Sequence, residues 1–242
     1  MLKMLFPCLA LLALSMQANA QPMTPYDLGY QASFRGLKAS AQRSLKVLED
    51  DNYQLHTTIR LRLFGVTMSQ ILEDSVFRLD QDDLLPQHYN YVQTGAGSRS
   101  RSVDFDWDDG TAIAKVNDNV TKLQLDGPVV DELSAFAEVE RQLAAGNTDI
   151  RYQAIDGNEI SEDRFEVVAQ EQVDTPLGKF NAVKLRKVRS PDSKRVTELW
   201  FASDWNYVLL KLYQRDPRGR EMELNLSRAT LGGEPVIPLS LD

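Results

Sequence analysis

Cysteine is nearly absent from this sequence of 242 residues, and its scarcity limits the chemistry that the chain can carry. The single cysteine, Cys8, lies in an amino-terminal segment that has the features of an export signal. Lys3 supplies the positive start, residues 5–14 the apolar core, and Ala18-Asn19-Ala20 the small residues needed at the cleavage site. We therefore predict that residues 1–20 are removed and that the mature chain works in the periplasm without disulfides or thiolate chemistry.

Long apolar runs are missing from the rest of the chain, so we predict no transmembrane anchor after signal cleavage, since about twenty apolar residues are needed to span a bilayer. The formal charge of −8 comes from 27 Lys and Arg against 35 Asp and Glu, and it becomes −9 when Lys3 leaves with the signal. This acidic balance argues against nucleic acid as the principal partner.

Histidine is also scarce, because the chain contains only His56 and His88. The G-x-S-x-G elbow of serine hydrolases and the H-E-x-x-H helix of zinc peptidases are both absent. We therefore predict a protein that is not an enzyme and needs no cofactor. A polysaccharide-active enzyme built on two carboxylates remains an alternative, because such a pair leaves no linear motif.

One aspartate series deserves comparison with a calcium loop, because Asp104, Asp106 and Asp108 alternate along the chain before Gly110. The glycine comes one place late, and no acid stands where the loop should end with a bidentate ligand. The series is more typical of a solvated strand face that ends in a hairpin turn. We predict no metal site.

The pattern that dominates the chain is the two-residue alternation of β-strands. In the segment 195–230, Met222, Leu224 and Leu226 fall on one side and polar residues on the other. Runs of the same kind, separated by Gly, Asn and Asp turns, fill residues 28–125 and 150–188. Glu73 and Asp74 interrupt one of these runs, which predicts a bulge or a bend there.

One segment has helical spacing instead. Apolar residues recur every three or four positions from Asp131 to Ala145, with Asp131 as a candidate cap and Gly146 just past the end. We therefore predict a mainly β fold, in which a curved antiparallel sheet or open half-barrel wraps around one helix. Residues 21–230 are predicted to form one domain and residues 231–242 a flexible tail.

Two groups of residues are candidates for binding. A cluster of cations around one turn is predicted to meet an anionic or protein partner of the envelope, although basic side chains also protect the edge strands of sheets. Its residues are Lys187, Arg189 and Lys194. A second group could line an apolar cavity under the helix or simply fill the core. Its residues are Tyr89, Tyr91, Trp107, Phe136, Leu143 and Trp200.

Several short motifs, in a characteristic order and spacing, carry a resemblance to a known family. They are Leu84-Leu85-Pro86, Asp131-Glu-Leu-Ser134, Gly146, Asp174-Thr-Pro-Leu-Gly178-Lys-Phe180, Glu198-Leu-Trp200 and Asp204-Trp-Asn206. Together they resemble the DUF3108 family of exported bacterial proteins over most of the mature chain. The resemblance implies a Gram-negative cell-envelope protein of unassigned function, with no catalytic residues to carry over.

The resemblance also implies a fold similar to that of periplasmic lipoprotein carriers. Such a half-barrel could bind an acyl chain or another apolar envelope ligand, with the helix as a plug, and this is the leading hypothesis. An interaction module that docks on another envelope protein is the first alternative. The carboxylate-based enzyme is the second.

Overall fold

The computed structural model describes residues 22–34, 37–50 and 52–239. It contains an antiparallel sheet of long strands and, in these residues, one helix. The strands are β1 (Tyr26–Phe34), β2 (Leu37–Val47), β3 (Asn52–Leu63), β4 (Val66–Asp80), β5 (Asp83–Gly95), β6 (Arg99–Asp106), β7 (Thr111–Val116), β8 (Asn119–Gln124), β9 (Val129–Asp131), β10 (Asp149–Asp156), β11 (Glu159–Thr175), β12 (Gly178–Lys187), β13 (Val196–Ala202), β14 (Leu209–Arg215), β15 (Glu221–Leu231) and β16 (Glu234–Pro235), and the helix is α1 (Ser134–Ala144).

The strands form one sheet because the first strand pairs with the last long one. The order runs β8 to β1, then β15 down to β9, with short β16 beside β15. Neighbours are antiparallel except β9 and β10, which are parallel because α1 lies between them in the chain. The sheet curves around the helix but does not close into a barrel, which confirms the predicted fold class.

The helix starts three residues later than its apolar spacing predicts, because Asp131 belongs to β9. The Asp131 carboxylate nevertheless accepts the backbone N–H groups of Leu133 and Ser134, each at 2.8 Å. Two N–H groups that have no partner within the first turn are thereby satisfied, as the predicted cap would do. Gly146 follows the helix at φ +84°, a conformation that favours glycine at this position.

Two apolar clusters hold the helix against the sheet. The larger one extends from the strands of the first half to β9, β10 and β12 to β15, and it includes the fully buried Leu28, Leu45, Leu55 and Leu133. The smaller one lies between the helix and the other half of the sheet. Its buried residues are Val139, Leu143, Ile150, Phe165, Val183, Leu185, Leu199, Phe201, Leu209 and Leu212.

Side chains join the two ends of the sheet where no strand pairing does. β9 lies against β5, and Ser75 in β4 donates a 2.6 Å hydrogen bond to the buried Asp131. Arg101 in β6 pairs with Glu132, and its Nη1 is 3.5 Å from an oxygen of Asp156. We call this contact between Ser75, Asp131, Arg101, Glu132 and Asp156 the seam.

The structure corrects one local prediction and leaves others open. Glu73 and Asp74 do not form a bulge, because both keep their register with β3, and the irregularities of β4 fall near Thr67 and Val76 instead. Asp74 accepts hydrogen bonds from Gln54 and His56 on the outer face, and Glu73 is buried on the inner face, so both follow the regular alternation of the strand. The predicted signal, residues 1–20, lies outside the described residues.

The carboxy-terminal segment for which the sequence predicts a flexible tail makes several contacts up to residue 239. The backbone N–H of Val236 donates to Ala229, that of Leu239 donates to Lys179, and the Val236 side chain is buried. Residues 240–242 lie outside the described residues. The division into signal, single domain and tail remains a prediction.

Candidate functional site

A groove lies beside the helix in the described part of the molecule. It lies between α1 and the strands β10 to β14 and has a cavity volume of about 620 Å³. Phe136 and Val139 of the helix form one wall, and Leu199 and Leu212 of the sheet form the floor. A volume of this size is typical of sites for small ligands.

The strand register explains why the floor is apolar inside and polar at the mouth. Leu199 of β13 is paired with Leu212 of β14. Thr197, two residues before Leu199, is paired with Gln214, two residues after Leu212, and this second pair lies on the same face. Arg195 comes two residues beyond Thr197, at the opening. A bound molecule would therefore meet hydrocarbon along the helix and the floor. Four acids also line the groove, namely Glu132, Asp156, Glu162 and Asp163, of which Asp163 is paired with Lys187.

The mouth carries a cation without a counter-ion. Arg189 donates a 3.3 Å hydrogen bond from Nη2 to Thr197, whereas its buried Nε has no hydrogen-bond partner. Partial burial and the nearby Arg195 lower the pKa of Arg189 below its ordinary value. No ion pair among the described residues neutralises either arginine, whereas Lys187 is bound to Asp163 at 2.5 Å. The mouth is suited to an anionic group.

A second polar cluster lies under the helix, on the inner face of the sheet. The Arg43 guanidinium lies 3.9 Å from the centre of the Phe136 ring and donates from Nε to Thr57 at 3.2 Å. Tyr26 donates its hydroxyl to Glu140 of the helix at 3.4 Å. Burial raises the pKa of Glu140 to about 8, although Arg43 and the Tyr26 hydroxyl act in the opposite direction.

The same cluster extends across the sheet to the seam. Cross-strand register places Arg43, Thr57, Glu73, Tyr91 and Arg101 in one row on the inner face. Burial raises the pKa of Glu73, and it raises that of Glu132 to about 7 against the effect of Arg101.

The charged residues of this inner cluster are not among those predicted from the sequence to bind a ligand or a partner. A sequence signal for it exists, because Arg43 and Glu73 are charged residues at positions where the alternation of their strands calls for apolar ones. A charged residue on the apolar face of a strand indicates a buried polar contact.

One histidine has an acid and a hydroxyl within reach, although no linear motif indicates this arrangement. His56 Nδ1 lies 2.8 Å from Asp74, and its Nε2 lies 3.0 Å from Thr58. These residues share the outer face of β3 and β4, where His56 and Asp74 are cross-strand partners. The residues lining the groove include none of the three. The arrangement is that of a polar cross-strand contact, since no concave substrate site accompanies it.

Comparison with known families identifies the chain. A family model described as a protein of unknown function, DUF3108, matches residues 29–225. The chain belongs to the DUF3108 family. The resemblance carried by the sequence motifs is thereby confirmed.

Solved structures similar to this DUF3108 chain include a beta-barrel-like protein of the domain of unknown function DUF1849 from Brucella abortus. It is 10% identical, with a TM-score of 0.56, and the match covers 86% of this chain and 98% of the other. MucB is 13% identical, with a TM-score of 0.34, and the match covers 91% of this chain and 57% of MucB. The first similarity supports the fold alone. No curated protein matches the DUF3108 chain by sequence.

The structure distributes the six predicted ligand-binding residues over several places. Phe136 lines the groove, and Leu143 is buried beside it in the smaller cluster. Tyr89 and Tyr91 are buried on the inner face under the helix, in a close-packed core. Trp107 stacks on Phe105 and donates to the Pro86 carbonyl at 2.6 Å.

Trp200 lies on the face of β13 opposite to that of Leu199 and Phe201, so it points away from the helix. Its Nε1 donates to Glu171 at 2.7 Å, and the ammonium groups of Lys184 and Lys211 lie over its ring. Trp200 is therefore buried in the larger apolar cluster and does not line the groove.

The predicted partner-binding cations lie at the mouth of the groove or beside it. Lys187 and Arg189 line the groove itself, together with Phe136 of the other predicted group. Lys194 is exposed in the loop between β12 and β13. The aspartates of the series near Gly110 are exposed, and no cluster of metal-binding side chains occurs in the described ranges. Nor is any helix of the described chain long and apolar enough to cross a membrane.

Proposed function

We propose that this DUF3108 protein is a non-enzymatic periplasmic binding protein for an amphipathic anionic ligand of the cell envelope, such as a lipid with a phosphate headgroup. Its acyl chain would lie along the groove beside α1, and its headgroup would meet Arg189 and Arg195. The periplasmic location rests on the predicted signal at residues 1–20.

The observation that carries the proposal is the polarity gradient of the groove. Phe136, Val139, Leu199 and Leu212 supply an apolar wall and floor, whose contact with an acyl chain is favourable in proportion to the apolar area removed from water. At the mouth, the buried Nε of Arg189 has no partner within the protein. A buried donor without an acceptor is costly, and an anionic headgroup would supply the acceptor.

The packed interior of the half-barrel supports placing the ligand in the groove. Under the helix, Leu28, Leu55, Tyr89 and Leu133 are almost completely buried in a packed core. The helix therefore fills that space. The flank of the helix is where a ligand would have room.

Binding of two lysophospholipids with the same acyl chain tests the proposal. Calorimetric titration of the mature chain, below the concentrations at which either lipid forms micelles, compares a phosphoglycerol with a phosphocholine headgroup. We expect the phosphoglycerol lipid to bind about tenfold more tightly, because its headgroup has a net negative charge beside Arg189 and Arg195, whereas the choline cation of the other lipid offsets its phosphate.

Two variants separate the two parts of the site. Arg189→Gln should remove most of the preference between headgroups, and Phe136→Ser should weaken both lipids by about tenfold. Arg218→Gln is the matched control, since this exposed arginine lies in the turn between β14 and β15 and does not line the groove. Absence of binding, or equal losses in Arg189→Gln and Arg218→Gln, would refute the proposal.

A further inference from the structure

The turns along one rim of the sheet are acidic. In a sheet of antiparallel neighbours, successive turns fall on opposite rims, so the β2–β3, β4–β5, β6–β7 and β13–β14 turns share one rim with the β8–β9 connection. The charged side chains described in these turns are all acidic. They are Glu49, Asp50, Asp82, Asp108, Asp109, Asp126 and Asp204.

The opposite rim carries a local concentration of cations. Its β3–β4 and β5–β6 turns contain no charged residue, the β7–β8 turn contains Asp118, and the loop from Val188 to Arg195 contains Asp192 beside Arg189, Lys194 and Arg195. Close to the β3–β4 turn, in the first half of the sheet, are Lys38, Arg60, Arg62 and Arg99. We call this rim the basic rim, and we call the other the acidic rim.

The basic rim also carries the most exposed apolar tip of the described structure. Phe64 stands at the β3–β4 turn with 98% of its surface exposed, and Val66 is 63% exposed. Leu63 and Met68 flank them and are also exposed. A phenylalanine at the end of a hairpin, where φ is +49°, has no folding reason to be there, because glycine or asparagine is favoured in that conformation.

The cations behind this tip are not used within the protein. Lys38, Arg60 and Arg62 make no ion pair with any described residue. Arg60 faces Ser40 across the strands, and Lys38 is two residues from Ser40, so both cations lie on one face of the hairpin pair. Apolar side chains at a tip and cations behind it match the layers of a membrane surface, where hydrocarbon lies beneath anionic headgroups.

We propose that the basic rim docks on an anionic lipid bilayer, with Phe64 and Val66 inserted and with Lys38, Arg60 and Arg62 at the headgroups. The acidic rim would then point away from the membrane, because the surface repels it. The inserted side chains and these three cations do not line the groove, so the docking does not depend on the proposed ligand. It would place the mouth of the groove towards the lipid.

Sedimentation with vesicles tests the docking. The mature chain is mixed with vesicles of phosphatidylcholine alone or of phosphatidylcholine with phosphatidylglycerol, at low and high salt. We expect binding to the anionic vesicles only, weakened by salt. Phe64→Asn should weaken it at least about tenfold, and Lys38→Gln or Arg62→Gln about fivefold each. Asparagine suits the left-handed conformation at residue 64, so this variant keeps the turn intact.

Matched controls lie at the other end of β2, the strand that carries Lys38. Lys46 and Val47 are exposed at the acidic rim end of β2, so Lys46→Gln and Val47→Asn change the same residue types far from the tip. They should leave vesicle binding unchanged. The proposal is overturned by no binding to either vesicle, by equal binding to both, or by equal losses in tip variants and controls. A different outcome would also overturn it: the chain binds no vesicles but associates with itself, and Phe64→Asn abolishes that self-association.

Discussion

Buried charges are the distinctive feature at the scale of single residues. Glu140 is fully enclosed between the helix and β1, and its pKa rises to about 8 because burial disfavours the carboxylate. The folded state therefore holds a proton on Glu140 between about pH 4.5 and about pH 8, where the unfolded chain has lost it. The free energy of unfolding must fall as the pH rises through this window.

Replacing Glu140 with glutamine should remove this dependence. Glu140→Gln keeps an oxygen for the Tyr26 hydroxyl, so we expect little change near pH 5 and a stabilisation on the order of 1 to 3 kcal/mol near pH 9 relative to the wild type. Denaturant unfolding at the two pH values measures it. Glu49→Gln, at an exposed turn, is the control and should differ by about 0.5 kcal/mol or less. An equal effect at both pH values would show that Glu140 is ionised in the folded protein.

At the scale of elements, the helix depends on one carboxylate for its position. Asp131 accepts two backbone N–H groups at the start of α1 and one hydroxyl hydrogen bond from Ser75 in β4. The same side chain therefore begins the helix and fixes it to the far half of the sheet. Sequence spacing predicts the first role, whereas the second depends on how the sheet curves.

A double-mutant cycle measures how strongly this contact ties the helix to the sheet. Ser75→Ala and Asp131→Ala should each cost about 1 to 3 kcal/mol, because each leaves buried partners unsatisfied. Their combination should cost less than the sum by about 1 kcal/mol. Ser69→Ala, in the same strand, is the control and should be additive with Asp131→Ala. If the costs of Ser75→Ala and Asp131→Ala simply add, the hydrogen bond between these two residues contributes nothing to the free energy of unfolding.

At the scale of the whole molecule, the two halves of the chain are joined in two ways. β1 pairs with β15 through the backbone along its whole length, and the seam joins β4 and β6 to β9 and β10 through side chains. The larger apolar cluster spans both halves, from Leu45 and Val103 to Phe180 and Ala202. These links make independent unfolding of either half costly.

We therefore expect one cooperative unfolding transition. A variant that keeps only Trp107 reports on the first half, and one that keeps only Trp200 reports on the second, with the other tryptophans replaced by phenylalanine. The two denaturation midpoints should coincide with each other and with that of circular dichroism. Separate midpoints would divide residues 21–230 into two folding units. This measurement also tests the prediction that these residues form one domain.

The sequence by itself determined the secondary structure and the family of this protein. Alternation indicated the regions 28–125, 150–188 and 195–230 that hold most of the strands, because a strand with one buried face must repeat every two residues. It also supplied Phe136, Lys187 and Arg189, which the groove brings together. Only the tertiary structure decided that Trp200 is buried on the face of β13 opposite to the groove, that Arg43 and Glu140 meet under the helix, and that unpaired cations gather behind the exposed Phe64. Those contacts join residues far apart in the chain, and they depend on strand order and on the curvature of the sheet, which no local pattern specifies.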